Sequence, residues 1–239
     1  MKWLRCLAGF AVALMMPAGG SYAQERSPDT SAAGWTESFD LESCSFSTTG
    51  RNAYFVLEPR YQLVLAGVED GDSVTLAITV LSDTQEVDGV QTRVVEERET
   101  SDGELIEVSR NFFAFCEENG SIFYFGEDVD IYKDGKMVGH EGGWRAGEIG
   151  FRPGLMMPGM ALIGAAYYQE FAPGTAMDRA RIISLDSVLE TPAGRFERCL
   201  VTEESSPLEP GSHEFKIYAP GIGLIKDESL LLVRYGTPR

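Results

Sequence analysis

The stretch Val74-Thr75-Leu76-Ala77-Ile78-Thr79-Val80 decides the fold class, because large apolar residues occupy every second position. Successive side chains of a β-strand point to opposite faces, so Val74, Leu76, Ile78 and Val80 share one face. One apolar face and one mixed face are typical of an antiparallel sheet with one side in the core and the other in water. The stretch therefore predicts a long strand of such a sheet.

Tight turns flank this strand and recur along the chain at intervals of 14 to 18 residues. Asp-Gly and Asn-Gly pairs tolerate the positive φ angles that two-residue hairpin turns require. Each interval holds one strand of roughly 8–12 residues and its turn. The pairs therefore predict an up-and-down meander with turns at Asp70-Gly71, Asp88-Gly89, Asp102-Gly103, Asn119-Gly120 and Asp134-Gly135.

A Gly-, Pro- and Met-rich apolar run from Trp144 to Gly174 interrupts the meander and lacks a strand pattern. The strand from Glu104 to Cys116 and its neighbour from Ile122 to Phe125 become apolar on both faces, so we expect the run to cover one of them. A helical turn is expected near residues 176–180, and strands resume at Arg179. We predict an all-β fold, a single curved antiparallel meander with a half-barrel-like sheet wrapped around the apolar insert.

The N-terminus has the pattern of a secretory signal peptide over residues 1–23. Lys2 and Arg5 precede an apolar stretch, and Ser21-Tyr22-Ala23 supplies small residues for cleavage near Ala23. We therefore expect a periplasmic or secreted protein with no transmembrane segment in the mature chain. Residues 24–45 are predicted to be a flexible leader, whose aromatic end packs as an irregular segment or short edge strand, and residues 46–239 a single β domain.

The charge balance is strongly acidic, with a formal net charge of −17 for the whole chain. Loss of the signal peptide removes Lys2 and Arg5 and no acidic residue, so the mature protein is more acidic still. Binding to nucleic acid or to an anionic membrane surface requires clusters of Lys and Arg. We expect neither kind of partner.

The mature chain has three cysteines, which allow one disulfide in an oxidising compartment and leave one thiol. Our preferred pair is Cys44 with Cys116, which would tie the N-terminal segment to a strand, although the sequence leaves the pairing open. Cys199 follows the alternation of its strand, which favours a small buried residue over a nucleophile. No Cys-x-x-Cys is present, and this argues against a redox role.

Several segments resemble an uncharacterised family of exported bacterial β proteins with a Tyr-Ala-Pro-Gly-x-Gly-Leu motif. The resemblance covers most of the mature chain and implies no catalytic residues. The predicted architecture is also similar in pattern to the half-barrel of periplasmic lipoprotein carriers of the LolA type. The matching segments are Tyr54-Phe55, Phe125-Gly126-Glu127-Asp128, residues 168–174, Pro192-Ala193-Gly194, Phe196, Cys199-Leu200, residues 207–211 and residues 218–224.

Carboxylates are the abundant reactive groups, and Glu170 is the most distinctive because aromatic residues flank it. Desolvation there would raise its pKa, and with Glu127, Asp128 or Glu141 it could act as an acid/base pair on a glycan. A structural ion pair with an arginine explains the same position, and we favour that reading. The candidate arginines are Arg145, Arg152, Arg179 and Arg181.

Metal sites have weaker support. Asp128, Asp130 and Asp134 could bind Ca²⁺ at the end of a strand, but their spacing departs from an EF-hand loop and solvated acidic strand ends explain them as well. His140 and His213 lack partners at metal-ligand spacing, so we expect both at the surface. Copper binding through Met156, Met157 and Met160 is a remote alternative. We expect no cofactor.

The sequence favours a non-catalytic protein that binds an apolar or amphipathic, lipid-like ligand, or an envelope protein, on the concave face of the sheet. The two-sided apolar strands and the Met-rich run carry this hypothesis. The alternatives are a carboxylate-dependent hydrolase acting on a glycan and a Ca²⁺-dependent structural module. The predicted ligand-binding residues are Phe113, Phe115, Trp144, Met156, Met157, Met160, Tyr168 and Glu170.

Overall fold

The structure, a computed structural model, describes residues 34–140 and 142–238, so the predicted signal peptide and most of the leader lie outside it. Within these residues the chain forms strands and one short 3-10 helix, Leu41–Ser43, and no α-helix. The strands are β1 (Phe46–Ser47), β2 (Gly50–Asn52), β3 (Phe55–Leu57), β4 (Gln62–Glu69), β5 (Asp72–Val87), β6 (Val90–Ser101), β7 (Glu104–Cys116), β8 (Ile122–Lys133), β9 (Lys136–Gly139), β10 (Trp144–Arg145), β11 (Gly154–Met157), β12 (Ala166–Tyr168), β13 (Arg179–Thr191), β14 (Gly194–Ser205), β15 (Glu214–Ala219), β16 (Gly223–Asp227) and β17 (Leu230–Gly236).

The predicted all-β fold with a curved meander is confirmed. Strands β4 to β8 form one antiparallel meander and β13 to β17 form a second, and the pairing of β17 with β4 joins them in one open sheet. The β2–β3 hairpin is separate from this sheet. The two halves of the chain therefore meet at the centre of the sheet, and β8 and β13 lie towards its two margins.

The Asp-Gly pairs form the predicted hairpin turns. At Asp70-Gly71, Asp88-Gly89, Asp102-Gly103 and Asp134-Gly135 both residues have positive φ. This is the backbone geometry of the type I′ turn, whose twist matches that of the strands it joins. The Asp-Gly pairs thus predict the turns of four hairpins, whereas β7 and β8 are joined by the longer connection 117–121, in which Gly120 has positive φ and Asn119 does not.

The insert between the two meanders differs from the prediction that it lacks strands. It contains three short strands: β10 and β11 pair with β8, and β12 pairs with β13. Glycine and proline limit the length of each piece, but unpaired backbone groups along β8 and β13 still bind any chain that lies beside them. The predicted helical turn near residues 176–180 is wrong, since Ala176 bridges to Ala172 and β13 begins at Arg179.

The two sides of the insert lie against each other at Gly154. A Cβ atom at Gly154 would be 2.0 Å from the carbonyl oxygen of Gln169, so only glycine permits this approach. Arg152 and Phe171 also form an isolated antiparallel bridge there. The close approach holds the segment that carries Gln169 and Glu170 beside β11 and β8.

The described part of the predicted leader, residues 34–45, packs on the domain. The preferred disulfide pair is confirmed, since Cys44 is bonded to Cys116 at the end of β7. The ring of Phe39 lies 5.7 Å from that of Phe123, and Phe46 lies 5.9 Å from the same ring. The N-terminal segment and the insert therefore both cover the strands that are apolar on their two faces.

Cys199 is a free, fully buried cysteine, as predicted. No helix in the described ranges is long and apolar enough to cross a membrane.

Candidate functional site

The concave face of the sheet carries a partly open pocket, called the cavity below, whose inner volume of about 70 Å³ exceeds several-fold the volume of about 10–15 Å³ needed for one water molecule. Residues from both meanders, from the β2–β3 hairpin and from the insert line it. Its apolar lining consists of Phe55, Val56, Leu63, Ile78, Val80, Val95, Phe113, Met156, Ile222 and Leu224.

The rest of the lining is polar and mostly acidic. Three tyrosines and one amide accompany five carboxyl groups and one amine. The polar residues are Tyr61, Glu97, Tyr124, Gln169, Glu170, Asp178, Glu204, Lys216, Tyr218 and Asp227. A cavity with both kinds of lining can hold a hydrocarbon body and a polar end group together.

Lys216 organises one part of this polar lining, and we call Lys216, Glu204 and Asp227 the Lys216 cluster. Pairing between β14, β15 and β16 places Lys216 opposite Asp227, and Lys216 Nζ lies 3.4 Å from Asp227 Oδ2 and 3.6 Å from Glu204 Oε2. The hydroxyl group of Thr202 donates a hydrogen bond of 3.0 Å to Glu204 Oε1. All three charged residues are buried.

Both signs of charge are stabilised in this cluster. Burial lowers the pKa of Lys216, but Asp227 and Glu204 outweigh it and hold that pKa well above its ordinary value. Burial by itself would raise the pKa of Glu204, but Lys216 and the Thr202 hydroxyl group lower that pKa below its ordinary value. Lys216 and Glu204 are therefore ionised at neutral pH.

A second set of carboxyl groups lies on the N-terminal meander and the insert, and we call Glu97, Glu107, Glu127 and Glu170 the acidic wall. Strand pairing places Glu107 of β7 opposite Glu99 of β6, and Glu127 of β8 opposite Asn111 of β7. Glu107, Glu127 and Glu170 are buried, and Glu97 is half-buried.

Burial raises the pKa values throughout the acidic wall. The pKa of Glu107 rises to about 8, because of burial and then of the charge of Glu99. Burial also raises the pKa of Glu127 to about 8, although a hydrogen bond from Tyr124 opposes the rise. The pKa of Glu97 rises to about 7 through burial, opposed by the charge of Lys216. These groups bind protons near neutral pH.

Glu170 is only 3% exposed, and within the described residues its Oε1 atom has no hydrogen-bond partner. Burial, followed by the charges of Asp178 and Glu127, raises its pKa well above the ordinary value, as predicted. The indole of Trp144 faces the carboxyl group and opposes that rise, yet its Nε1 atom makes no hydrogen bond of regular geometry in the described part of the chain.

The predicted ion pair between Glu170 and an arginine is wrong among the described residues. Arg145 binds Asp128 instead, at 2.8 Å, and Arg152 lies 3.7 Å from Glu37. Arg179 and Arg181 lie over the ring of Trp35. Each of these four guanidinium groups therefore contacts a group other than Glu170, which lines the cavity.

Gln169 contributes a second acceptor to the same end of the cavity. Its Nε2 atom donates to Glu204 Oε1 at 3.3 Å, which fixes the orientation of the amide. Its Oε1 atom is buried and, among the residues that the structure describes, has no donor.

The predicted ligand residues separate into two groups. Phe113, Met156 and Glu170 line the cavity. The others lie outside that lining: Met157 is fully buried in the core, Tyr168 packs on Trp35 and Phe171, Trp144 contacts the edge of Tyr124, Phe115 lies against Gly50, and Met160 is 76% exposed.

The three aspartates considered for Ca²⁺ do not form a cluster. Asp130 binds Arg110 at 3.0 Å and His140 at 2.7 Å, while Asp128 binds Arg145, and Asp134 lies in the β8–β9 turn. Over the described ranges, one group of three potential metal ligands lies close together, and two of its members are the disulfide-bonded Cys44 and Cys116 with Glu118.

Both histidines are at the surface, as predicted. The side chain of His140 is 66% exposed, and His213, at 53%, lies 3.2 Å from Glu203.

Sequence reasoning missed most of the polar lining, including Glu97, Gln169, Glu204, Lys216 and Asp227. Charged residues occupy both faces of β6, as in Glu96-Glu97-Arg98-Glu99, so alternation alone does not say which of them point inwards. The one signal in the sequence for an inward orientation is that Glu97 and Glu99 lie two and four residues after Val95, and therefore on the same face of the strand.

Comparison with protein-family models, with curated proteins and with solved structures gives no match to this chain.

Proposed function

We propose that this protein is an exported, non-catalytic binding protein that holds an apolar or amphipathic ligand in the concave cavity. The observation that carries the proposal is the cavity itself, which combines an apolar lining from both meanders with a buried polar end. Pockets for small ligands commonly have this composition, with few polar groups in a mostly apolar wall.

The insert supports the same proposal. It contributes Met156 to the apolar lining and Gln169 and Glu170 to the polar end. Because β11 pairs with β8 and β12 pairs with β13, one segment joins the two margins of the sheet beside the cavity. A thioether side chain adapts its shape to varied ligands, which suits Met156 to a ligand contact.

A hydrolase acting on a glycan is the less favoured alternative. The charges of Glu127 and Glu170 influence each other, which is the one observation in its favour. Such enzymes use one ionised carboxylate and one protonated carboxyl group. Burial raises the pKa of both residues, so neither of them has the low pKa that the ionised partner of such a pair requires.

The neutral fluorescent dye Nile red tests ligand binding in the cavity. Ile78 lines the cavity, so Ile78→Phe fills part of it, and we expect the affinity for the dye to fall about tenfold, as if roughly 1.4 kcal/mol were lost. The matched control is Ile183→Phe on the outer face of β13, where the side chain is exposed. Equal affinity of the two variants would place the dye elsewhere and contradict the proposal.

Native mass spectrometry of the protein purified gently from its own host is a complementary measurement. A bound mass that leaves on denaturation, and that is lost in Ile78→Phe but retained in Ile183→Phe, is the expected result.

A further inference from the structure

Two buried side-chain oxygen atoms at the polar end of the cavity lack hydrogen-bond partners among the described residues. Glu170 Oε1 and Gln169 Oε1 are both buried, and neither has a partner in the described ranges. Glu170 is 3% exposed and Gln169 is 4% exposed. A buried acceptor without a donor costs free energy, so two of them in one cavity indicate a ligand that supplies donors.

The charge of the lining indicates the same kind of ligand. Five carboxyl groups and one amine line the cavity. Lys216 already binds two of the carboxylates, Glu204 and Asp227. Among the described residues the carboxyl group of Glu170 has no such ion pair: Arg145 and Arg152 bind Asp128 and Glu37, and Arg179 and Arg181 lie over the ring of Trp35.

Aromatic rings adjoin this end and extend the argument to a cation. Tyr124 lines the cavity and stacks on Phe113, with ring centroids 4.6 Å apart. Phe113 in turn contacts Phe55 at 5.3 Å. The faces of aromatic rings attract cations, and the same rings are apolar enough to hold hydrocarbon.

We propose that the cavity binds an amphipathic cation, with an ammonium group on Glu170 and Gln169 Oε1 and an alkyl chain against the apolar lining. The inference rests on the proposed binding function and specifies the chemical class of its ligand. A primary ammonium group has three N–H donors, and two of them can bind the two vacant acceptors. The alkyl chain of the ligand lies on the side of Ile78 and Leu224.

Binding of a cation also exchanges a proton. Burial, with the facing groups Asp178, Glu127 and Tyr124, raises the pKa of Glu170 well above its ordinary value and so favours the protonated carboxyl group when no cation is bound. Among the described residues the indole of Trp144 favours ionisation. When the ammonium group arrives, that O–H bond breaks, the proton leaves to the solvent, and the carboxylate balances the charge of the ligand.

Isothermal titration calorimetry with three ligands of equal chain length tests the inference on the purified protein. The probes are decylamine, decanoate and decanol, each below its critical micelle concentration. We expect decylamine to bind at least about tenfold more tightly than decanol, as one charge-assisted hydrogen bond contributes. Decanoate should bind more weakly than decanol because of the acidic lining.

The matched variants are Glu170→Gln in the cavity and Glu104→Gln at the exposed start of β7. Glu170→Gln should abolish the preference for decylamine over decanol, whereas Glu104→Gln should leave it unchanged. Titrations in two buffers of different ionisation enthalpy should show release of about one proton for each decylamine bound to the wild type, and this wild-type readout does not depend on the variant folding.

The outcomes separate this inference from the proposed function. Binding of decanol and decanoate with no preference for decylamine would contradict the inference that the ligand is a cation, and the proposed binding function would remain supported. Absence of binding by all three ligands would overturn both. A preference for decylamine that persists in Glu170→Gln would move the ammonium group to another carboxylate and contradict the assigned site.

Discussion

The Lys216 cluster and the acidic wall both place glutamates in the interior of the protein, yet the pKa of Glu204 in the cluster lies below its ordinary value and the pKa values in the wall lie above theirs. In the cluster, Lys216 and the Thr202 hydroxyl group keep Glu204 ionised. In the wall, burial raises the pKa of Glu127 to about 8, and Glu107 faces Glu99 rather than a cation. Burial raises the pKa in both regions, so the difference between them comes from the one buried amine, which reverses the effect of burial at Glu204.

The largest expected effect comes from removing that amine. Lys216→Met removes the amine that binds the buried carboxylates of Glu204 and Asp227, and loss of one partner of a buried ion pair costs about 3–5 kcal/mol. Urea denaturation should show this loss in the free energy of unfolding. Lys136→Met in the exposed strand β9 is the control and should change it little. A loss below about 1 kcal/mol would mean that the cluster is not ionised.

A smaller effect should distinguish Glu204 from Glu127 under the same substitution. Glu204→Gln removes the charge that Lys216 and Thr202 stabilise, and should cost about 2 kcal/mol. Glu127→Gln replaces a group that is already protonated at neutral pH, so we expect stability within about 0.5 kcal/mol of the wild type. Paired urea curves at neutral pH check both values, and equal costs would remove the contrast between the two regions.

The pH dependence of stability should come from the acidic wall. A carboxyl group with a raised folded-state pKa contributes stability that is complete below its ordinary value of 4.5 and is lost as the pH rises through the folded value. Glu97 has a folded pKa of about 7, and Glu107 and Glu127 have values of about 8. The melting temperature should therefore fall between about pH 5 and pH 8.

One variant isolates a single member of the wall. Glu107→Gln removes its titration, so its free energy of unfolding relative to the wild type should rise by about 4 kcal/mol on going from acidic to mildly alkaline pH. Glu104→Gln, an exposed position on the same strand, should show no such change. Parallel pH profiles for the wild type and Glu107→Gln would refute the raised pKa.

Local sequence patterns determined the fold class and much of the register. The alternation from Val74 to Val80 and the Asp-Gly pairs act through backbone conformation within a few residues, so neither depends on the rest of the fold. The buried free state of Cys199 also follows from alternation. The Cys44–Cys116 pairing needed the structure to select it from three possible pairs.

Only the tertiary structure decided the composition of the site. The polar lining comes from β6, β14, β15, β16 and the insert, which lie far apart in the sequence and meet because β17 pairs with β4. Sequence reasoning identified Phe113, Met156 and Glu170 as ligand-binding residues, and all three line the cavity. It also favoured an ion pair between Glu170 and an arginine, but the candidate arginines contact other groups. Charge states such as that of Glu204 depend on which buried cation lies within about 4 Å, and this is a property of strand pairing across the whole sheet.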